Sequence, residues 1–194
     1  MSLKPVIPWG LIVLRALGCP LIVLGARRGW SGGWLGVVVV AALLSDIYDG
    51  ILARRWGGET PVLRLSDSMA DTIFYLGVVV ALWLREPLVL LGNWKLFLAL
   101  LSLEGARYVF DLWKFGKTAS YHSYLAKAWG LLIAVAVVGV FSFNRLQWLI
   151  WVALVFGIVV NLEGLAMSLM LPRWNNDVKT LGRAWELRKS MLNG

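Results

Sequence analysis

Six long stretches of apolar residues constrain the fold of this chain more than any other feature. They cover approximately residues 6–26, 34–53, 66–84, 88–108, 125–143 and 147–171. Each is close to the roughly 20 residues that a membrane-spanning helix needs. Hydrophobic residues make up 59% of the 194 residues and charged residues 15%, whereas a soluble domain has about 45–50% and about 25%. The composition therefore excludes an ordinary soluble domain.

The first apolar stretch has to be distinguished from a signal peptide, because Lys4 precedes it. Arg15 interrupts the stretch, and its length suits a span better than the shorter apolar core of a signal peptide. We therefore predict that it is retained as the first of six transmembrane helices. Indole rings favour the membrane interface, and many tryptophans lie at or near the predicted ends: Trp9, Trp30, Trp34, Trp56, Trp83, Trp94, Trp129, Trp148 and Trp174.

The basic residues are distributed unequally between the two ends of these spans. Outside the spans' interiors, thirteen lysines and arginines fall on one side and five on the other. By the positive-inside rule, both termini and the loops at 54–65 and 109–124 are predicted to be cytoplasmic, with the protein in a bacterial inner (plasma) membrane. The net charge of +8 thus marks topology and contacts with anionic lipid, and we exclude nucleic acid as a partner.

We divide the chain into a six-helix transmembrane domain at 1–172 and a basic cytoplasmic tail at 173–194. In the tail, apolar residues recur with a helical spacing at Val178, Leu181, Trp185 and Leu192. This pattern indicates an amphipathic helix lying on an anionic membrane surface. A plain solvated basic tail is the alternative interpretation.

Four of the eleven acidic residues lie at the predicted cytoplasmic ends of the second and third spans: Asp46, Asp49, Asp67 and Asp71. The members of each pair, three or four residues apart, share one face of their helix. A centrally placed Asp costs about 2.5–3.5 kcal/mol on insertion scales, so such residues normally face the bundle interior or a watery cavity. We therefore predict an all-α membrane protein whose six helices surround a polar cavity that faces the cytoplasm.

Clustered carboxylates without histidine or cysteine neighbours favour hard cations such as Mg²⁺, Mn²⁺ or Ca²⁺ over zinc or copper. The single cysteine, Cys19, excludes an intramolecular disulfide and a cysteine metal cluster. Gly50 and Ala53 leave space beside the acids for a large ligand, and Arg54 has the forked donors that suit phosphate. A cation or proton pathway in a transporter is the alternative interpretation of the same acids.

The sequence DIYDGILAR at 46–54, followed by DSMAD at 67–71, resembles the signature of the CDP-alcohol phosphatidyltransferases, six-span membrane enzymes of phospholipid synthesis. Arg15 with Pro20 in the first span, and more loosely Lys127, extend the resemblance. Leu63 departs from it, because the family usually has a glycine at that position.

The resemblance implies a metal-dependent enzyme that transfers a phosphatidyl group from CDP-diacylglycerol to a small alcohol and releases CMP. It implies that Asp46, Asp49 and Asp67 hold Mg²⁺ or Mn²⁺, with two ions expected. Asp71 would also touch a metal and would act as the catalytic base. Gly50, Ala53 and Arg54 would border the nucleotide of the donor. Because members of the family commonly form dimers, the resemblance also implies a homodimer in the lipid bilayer.

Basic residues around the fourth and fifth spans favour an anionic acceptor, a phosphorylated polyol such as glycerol 3-phosphate or inositol phosphate. The acceptor-binding candidates are Arg107, Lys117, His122 and Lys127. Lys117 as a topology signal, His122 as an interfacial polar residue and serine as a neutral acceptor are the alternatives.

Glu104 and Glu163 lie within apolar stretches, and we expect each to pair with Arg15 or Arg107. Two other functions stay open at this point. One is a cation-coupled transporter, and the other is a non-catalytic family member that binds a CDP-lipid, for which Leu63 is the only indication.

Overall fold

The computed structural model describes residues 6–56, 60–119, 121, 123–143, 146–175 and 178–192. These residues form eight α-helices and contain no strand, which confirms the all-α prediction. The helices are α1 (Val6–Arg27), α2 (Gly32–Arg55), α3 (Pro61–Arg85), α4 (Pro87–Gly92), α5 (Trp94–Phe115), α6 (Tyr124–Phe143), α7 (Trp148–Met170) and α8 (Leu181–Leu192).

Among the described residues, five helices are long and apolar enough to cross a membrane. The five segments are Ile7–Arg27, Gly32–Leu52, Leu65–Arg85, Tyr124–Phe143 and Trp148–Met170. They correspond to the first, second, third, fifth and sixth predicted spans, which confirms a multi-pass membrane protein.

The fourth predicted span, 88–108, differs from the observed helices. The chain leaves the helical conformation at Asn93, whose φ is −115° and ψ is 11°, so α4 ends and α5 begins there. Gly92 and Asn93 both have low helix propensity, which explains the break. α5 is 22 residues long, but it contains five charged residues: Lys95, Glu104, Arg107, Asp111 and Lys114. A sixth span therefore remains a prediction.

The chain divides into two compact units. Unit 1 comprises residues 1–92 and 134–147, and unit 2 comprises residues 93–133 and 148–194. The four aspartates belong to unit 1, whereas Arg107, Lys117 and Lys127 belong to unit 2.

In unit 1, α1 packs against both α2 and α3. Thr60 begins α3 by accepting a hydrogen bond from the Leu63 backbone N–H at 3.1 Å, and Pro61 suits the first helical position. Further along, Gly77 allows a close approach to α1, since a Cβ there would lie 2.8 Å from the Cys19 sulfur. This tight contact fixes the position of α3, and with it Asp67 and Asp71, against α1.

In unit 2, α7 packs against α5 and α8. The fully buried carboxylate of Asp111 accepts hydrogen bonds from Ser168 Oγ at 2.5 Å and from the Ala119 backbone N–H at 3.2 Å. The Tyr121 hydroxyl lies 2.9 Å from the same Ser168 oxygen, and burial raises the pKa of Tyr121. A buried carboxylate needs such partners, so this network ties the segment after α5 to α7.

The C-terminal helix α8 shows which tail residues turn inward. Val178 and Ala184 are buried with Met167 and Leu171, and Leu187 packs against them. Leu181 and Trp185 are exposed. The tail is therefore helical and two-sided over Leu181–Leu192, but Val178 precedes the helix and does not share a face with Leu181 and Trp185 as its sequence spacing suggested. The side chain of Leu192 lies outside the described part of the structure.

Candidate metal and donor site

Two helices of unit 1 supply the acidic side chains of the site. Asp46 and Asp49 lie one turn apart on α2, and Asp67 and Asp71 lie one turn apart on α3. Carboxylate oxygens of Asp46, Asp49 and Asp67 come within 4.8 Å of one another. The helical spacing thus brings the two pairs together, as the sequence predicted.

Arg15 of α1 lies at the centre of this cluster. Its Nη1 is 2.5 Å from Asp71 Oδ1, 2.7 Å from Asp67 Oδ1 and 3.3 Å from Asp46 Oδ1. Its Nη2 donates to the Asp49 carboxylate. One guanidinium therefore contacts all four aspartates, because its forked donors point in several directions from one carbon.

A residue of α2 also holds the Arg15 side chain in place. Its Nε donates to Ser45 Oγ at 3.2 Å, and Ser45 donates to the Ala42 carbonyl at 2.7 Å. Arg15 is only 2% exposed. A buried arginine is stable only when it is paired and hydrogen-bonded, and both conditions are met here.

The aspartates differ in their exposure. The Asp49 side chain is 5% exposed, whereas those of Asp46, Asp67 and Asp71 are 44%, 36% and 35% exposed. Three carboxylates therefore remain accessible from outside, while Asp49 closes the inner end of the site.

A cavity of about 40 Å³ adjoins Asp46 and Asp71, which is room for a few water molecules. Polar groups line one part of it, and apolar side chains line the rest. The lining residues are Arg15, Val39, Ala42, Leu43, Asp46, Asp71, Phe74, Tyr75 and Ala134. Tyr75, one turn after Asp71, is a polar site residue that sequence reasoning did not single out.

The carboxylate oxygens of this cluster suit a divalent metal ion. Asp46, Asp49 and Asp67 each offer a carboxylate oxygen at mutually compatible distances, and hard oxygen ligands favour Mg²⁺ or Mn²⁺. Asp71 joins the same cluster through the Arg15 atom that also contacts Asp46 and Asp67. The residues present therefore fit the cation that the sequence pattern predicts.

The predicted nucleotide-binding residues lie on α2 beside the acids. Gly50 follows Asp49 directly, and Ala53 and Arg54 lie in the last turns of α2. The side chains of Ala53 and Arg54 are outside the described part of the structure. Their placement on the acidic helix is settled, and their contact with a nucleotide stays a prediction.

Leu63, which replaces the usual glycine of the signature, has a clear packing role. It is 7% exposed and lies in a cluster with Ile12 and Ala70, against which Ala16 also packs. The side chain fills the contact between α1 and α3.

The described acceptor candidates belong to unit 2, and His122 lies outside the described residues. Arg107 crosses α7 at Gly164, where a Cβ would lie 2.5 Å from its Nη1, and its buried Nε has no hydrogen-bond partner among the described residues. The Lys117 ammonium lies 3.6 Å from the centre of the Trp174 ring, within cation–π distance. Lys127 lies in the first turn of α6.

The expected pairing of Glu104 and Glu163 with Arg15 or Arg107 is wrong, because the ion pairs among the described residues join neither glutamate to either arginine. Arg15 contacts the four aspartates because its position on α1 faces α2 and α3. Glu163 instead accepts a hydrogen bond from Ser123 Oγ at 2.7 Å, and Glu104 lies 3.4 Å from the Tyr108 hydroxyl. The signal that could have found the Arg15 partners was present, since an intramembrane arginine requires carboxylates and four lay near the same membrane face.

Comparisons with known proteins identify sequences related to this chain. A family model described as CDP-alcohol phosphatidyltransferase matches residues 5–159. A segment of 87 residues is 38% identical to a protein of Streptomyces coelicolor named cardiolipin synthase (CMP-forming). That match covers 42% of this chain and 40% of the relative, so it spans about two fifths of the relative's length. No solved structure matches the chain.

Proposed function

The chain belongs to the CDP-alcohol phosphatidyltransferase family, and on that premise we propose that it transfers a phosphatidyl group from CDP-diacylglycerol to an alcohol and releases CMP. The observation that carries the proposal is the convergence of four aspartates on Arg15 at the signature positions of α2 and α3. The active site faces the cytoplasm in this proposal, and the enzyme contributes to phospholipid synthesis.

Asp46, Asp49, Asp67 and Asp71 would hold one or two Mg²⁺ or Mn²⁺ ions, which supply charge neutralisation at the donor pyrophosphate. Gly50, Ala53 and Arg54 would border the nucleotide. The diacylglycerol part of the donor stays among the apolar helix surfaces, since only its headgroup has to reach the acids. No substrate has to leave the bilayer or cross it.

Asp71 acts as the general base. Its side chain is 35% exposed and adjoins the cavity beside Tyr75, so an acceptor hydroxyl can reach it. The hydroxyl oxygen attacks the phosphorus that carries the diacylglycerol, its proton passes to Asp71, and the bond to the CMP oxygen breaks. CMP departs with the bonding electron pair, which balances the transfer.

Arg15 holds the carboxylates in position for this reaction. Its contacts to Asp67 and Asp71 at 2.7 and 2.5 Å restrict the rotamers of both side chains. Positioning of this kind lowers the entropic cost of bringing reacting groups together. Arg15 is therefore a positioning residue in the proposed mechanism.

A phosphorylated polyol, such as glycerol 3-phosphate or inositol phosphate, is our first candidate acceptor. Support comes from the basic residues of unit 2, above all Arg107, whose Nε has no hydrogen-bond partner in the part of the chain that the structure describes. An anionic acceptor would supply the missing hydrogen-bond acceptor. Lys117, Lys127 and His122 are the further acceptor-binding candidates.

A lipid alcohol is the second candidate acceptor. The 38% identical relative is named a CMP-forming cardiolipin synthase, and cardiolipin formation with release of CMP consumes phosphatidylglycerol. An acceptor of this kind would enter from the bilayer and would not need a phosphate-binding site among water-facing residues.

The test is CMP release by the purified chain with CDP-diacylglycerol and Mn²⁺ or Mg²⁺, with one acceptor in each assay. The acceptors are glycerol 3-phosphate, inositol phosphate, inositol, serine and phosphatidylglycerol. We expect release that depends on one acceptor and on the metal, and a loss of at least about 100-fold in Asp71→Asn, as for removal of a general base. Thr72→Ala is the matched control, because Thr72 is exposed and its hydroxyl donates to the Ser68 carbonyl of its own helix.

The result distinguishes the other two interpretations. Donor-dependent thermal protection without CMP release from any acceptor would indicate a non-catalytic binding protein. Movement of label across sealed vesicles without CMP release would indicate a transporter. We also propose a homodimer, because members of the family commonly form dimers. Light scattering in detergent tests this proposal.

A further inference from the structure

The outer face of α8 carries a combination of apolar and basic side chains that the proposed reaction does not use. On a helix, Leu181, Trp185 and Arg188 follow one another at i, i+4 and i+7 and share one face. Trp185 is 48% exposed and Leu181 is 39% exposed. The exposed tryptophan and leucine therefore form an apolar surface on one face of this 12-residue helix.

Basic side chains surround the exposed indole. The Arg188 guanidinium carbon lies 5.8 Å and the Lys189 ammonium 5.3 Å from the Trp185 ring centre. The segment 173–194 contains five basic residues and two acidic ones. The only ion pair described within α8, Arg183 with Glu186 at 2.8 Å, lies away from Trp185. The face is therefore positively charged as well as apolar.

The position of α8 along the chain places it at the membrane boundary. α7 is one of the candidate spans and ends at Met170. α8 begins at Leu181, and its buried residue Ala184 packs with Met167 and Leu171 at that end of α7. Lys114 also donates to the carbonyls of Ser168 and Leu169 there, at 2.8 and 3.1 Å. α8 is thus held at the level where α7 leaves the hydrocarbon.

We propose that the face of α8 formed by Leu181, Trp185, Arg188 and Lys189 docks onto the anionic phospholipid surface of the bilayer. The charges attract acidic headgroups, and the indole and leucine enter the interface. The opposite side, which includes Glu186 and Ser190, remains in water. This inference rests on unit 2 alone and is independent of the proposed reaction.

The test uses the full chain in liposomes, without CDP-diacylglycerol so that no reaction occurs. Cys19 is the single cysteine, so Cys19→Ala provides a background for one labelled site at a time. Leu181→Cys reports on the proposed face, and Ser190→Cys is the matched control on the opposite face. Each carries a polarity-sensitive fluorophore, in phosphatidylcholine with or without phosphatidylserine.

We expect the label at 181 to shift to shorter wavelength and to be quenched by nitroxide lipids only in the anionic bilayers. The label at 190 should stay water-exposed in both. Adding Arg188→Gln with Lys189→Gln should lower the ratio of docked to undocked 181-labelled protein about fivefold per removed charge, and high salt should lower the same ratio.

Three outcomes would overturn the inference. Equal protection of 181 in neutral bilayers would mean that charge plays no part. Exposure of 181 in both bilayers would mean that the face stays in water. Protection of both 181 and 190 would indicate that α8 is covered by protein, such as a second copy of the chain, rather than by lipid.

Discussion

Arg15 illustrates how much of the site depends on a single side chain. It supplies the positive charge that allows four carboxylates to lie together, and Ser45 holds its Nε. Without such a charge, acidic groups at these distances would repel one another strongly. The arginine and the divalent cation of the proposed mechanism therefore share the task of neutralising the same oxygens.

Replacing Arg15 by Gln should make the metal-free protein less stable. Breaking a buried ion pair costs about 3–5 kcal/mol of unfolding free energy, and the cost here is smaller because three of the carboxylates are partly exposed. We expect a lower thermal midpoint in EDTA and a larger gain on adding Mg²⁺ than for the unmodified chain. Differential scanning fluorimetry in detergent measures both.

Arg15→Lys is the control, since it keeps the charge but loses the fork that reaches all four aspartates. Its midpoint in EDTA should fall between those of the other two proteins. If Arg15→Gln is as stable as the unmodified chain in EDTA, the carboxylates do not depend on the arginine.

At the level of elements, the packing of α1 against α3 determines where the aspartates of α3 lie. Leu63 and Ala70 from α3 meet Ile12 from α1, and Gly77 lets the helices approach at Cys19. Substitution of the usual signature glycine by Leu63 therefore strengthens the same helix contact that positions Asp67 and Asp71.

Restoring the signature glycine with Leu63→Gly should destabilise the protein by about 2–6 kcal/mol. Loss of a buried leucine costs about 2–5 kcal/mol, and a glycine within a helix adds up to about 1 kcal/mol. Leu63→Ala separates these two effects, and Leu65→Ala, on the exposed side of α3, is the matched control. Denaturant unfolding followed by tryptophan fluorescence gives the values, and an unchanged stability for Leu63→Gly would contradict the packing role.

At the scale of the whole molecule, α5 decides how many times the chain crosses the membrane. Five described helices qualify as spans by length and composition, and α5 has sufficient length but five charged residues. Some of these charges are compensated within unit 2, because Asp111 accepts hydrogen bonds from Ser168 and Ala119 and Lys114 donates to carbonyls of α7. Such pairing lowers the cost of placing charged groups in a membrane.

We predict six crossings, so that both termini lie in the cytoplasm. Alkaline phosphatase and green fluorescent protein fusions at the C-terminus, and at a loop of known side, test this. Six crossings are supported if, at the C-terminus and also after residue 56, the green fluorescent protein fusion is fluorescent and the alkaline phosphatase fusion is inactive. If the C-terminus and the 54–65 loop lie on opposite sides of the membrane, the chain has five crossings and α5 lies on the membrane surface.

The sequence by itself determined the membrane class, five of the membrane-spanning helices, and the residues of the acidic cluster. These follow from local rules: apolar length sets a span, and spacings of three and four residues put Asp46 with Asp49 and Asp67 with Asp71 on common helix faces. The family signature is local in the same sense, because its residues lie on two consecutive helices.

Only the tertiary structure decided what surrounds those residues. Arg15 lies 31 positions before Asp46 in the chain, and its choice of the four aspartates over Glu104 and Glu163 depends on how α1 packs against α2 and α3. Leu63 became a packing residue, and Ala184 turned inward while Leu181 and Trp185 stayed outside, for the same reason. Helical periodicity gives the angle between side chains on one helix, but which direction is inward is set by the neighbouring helix.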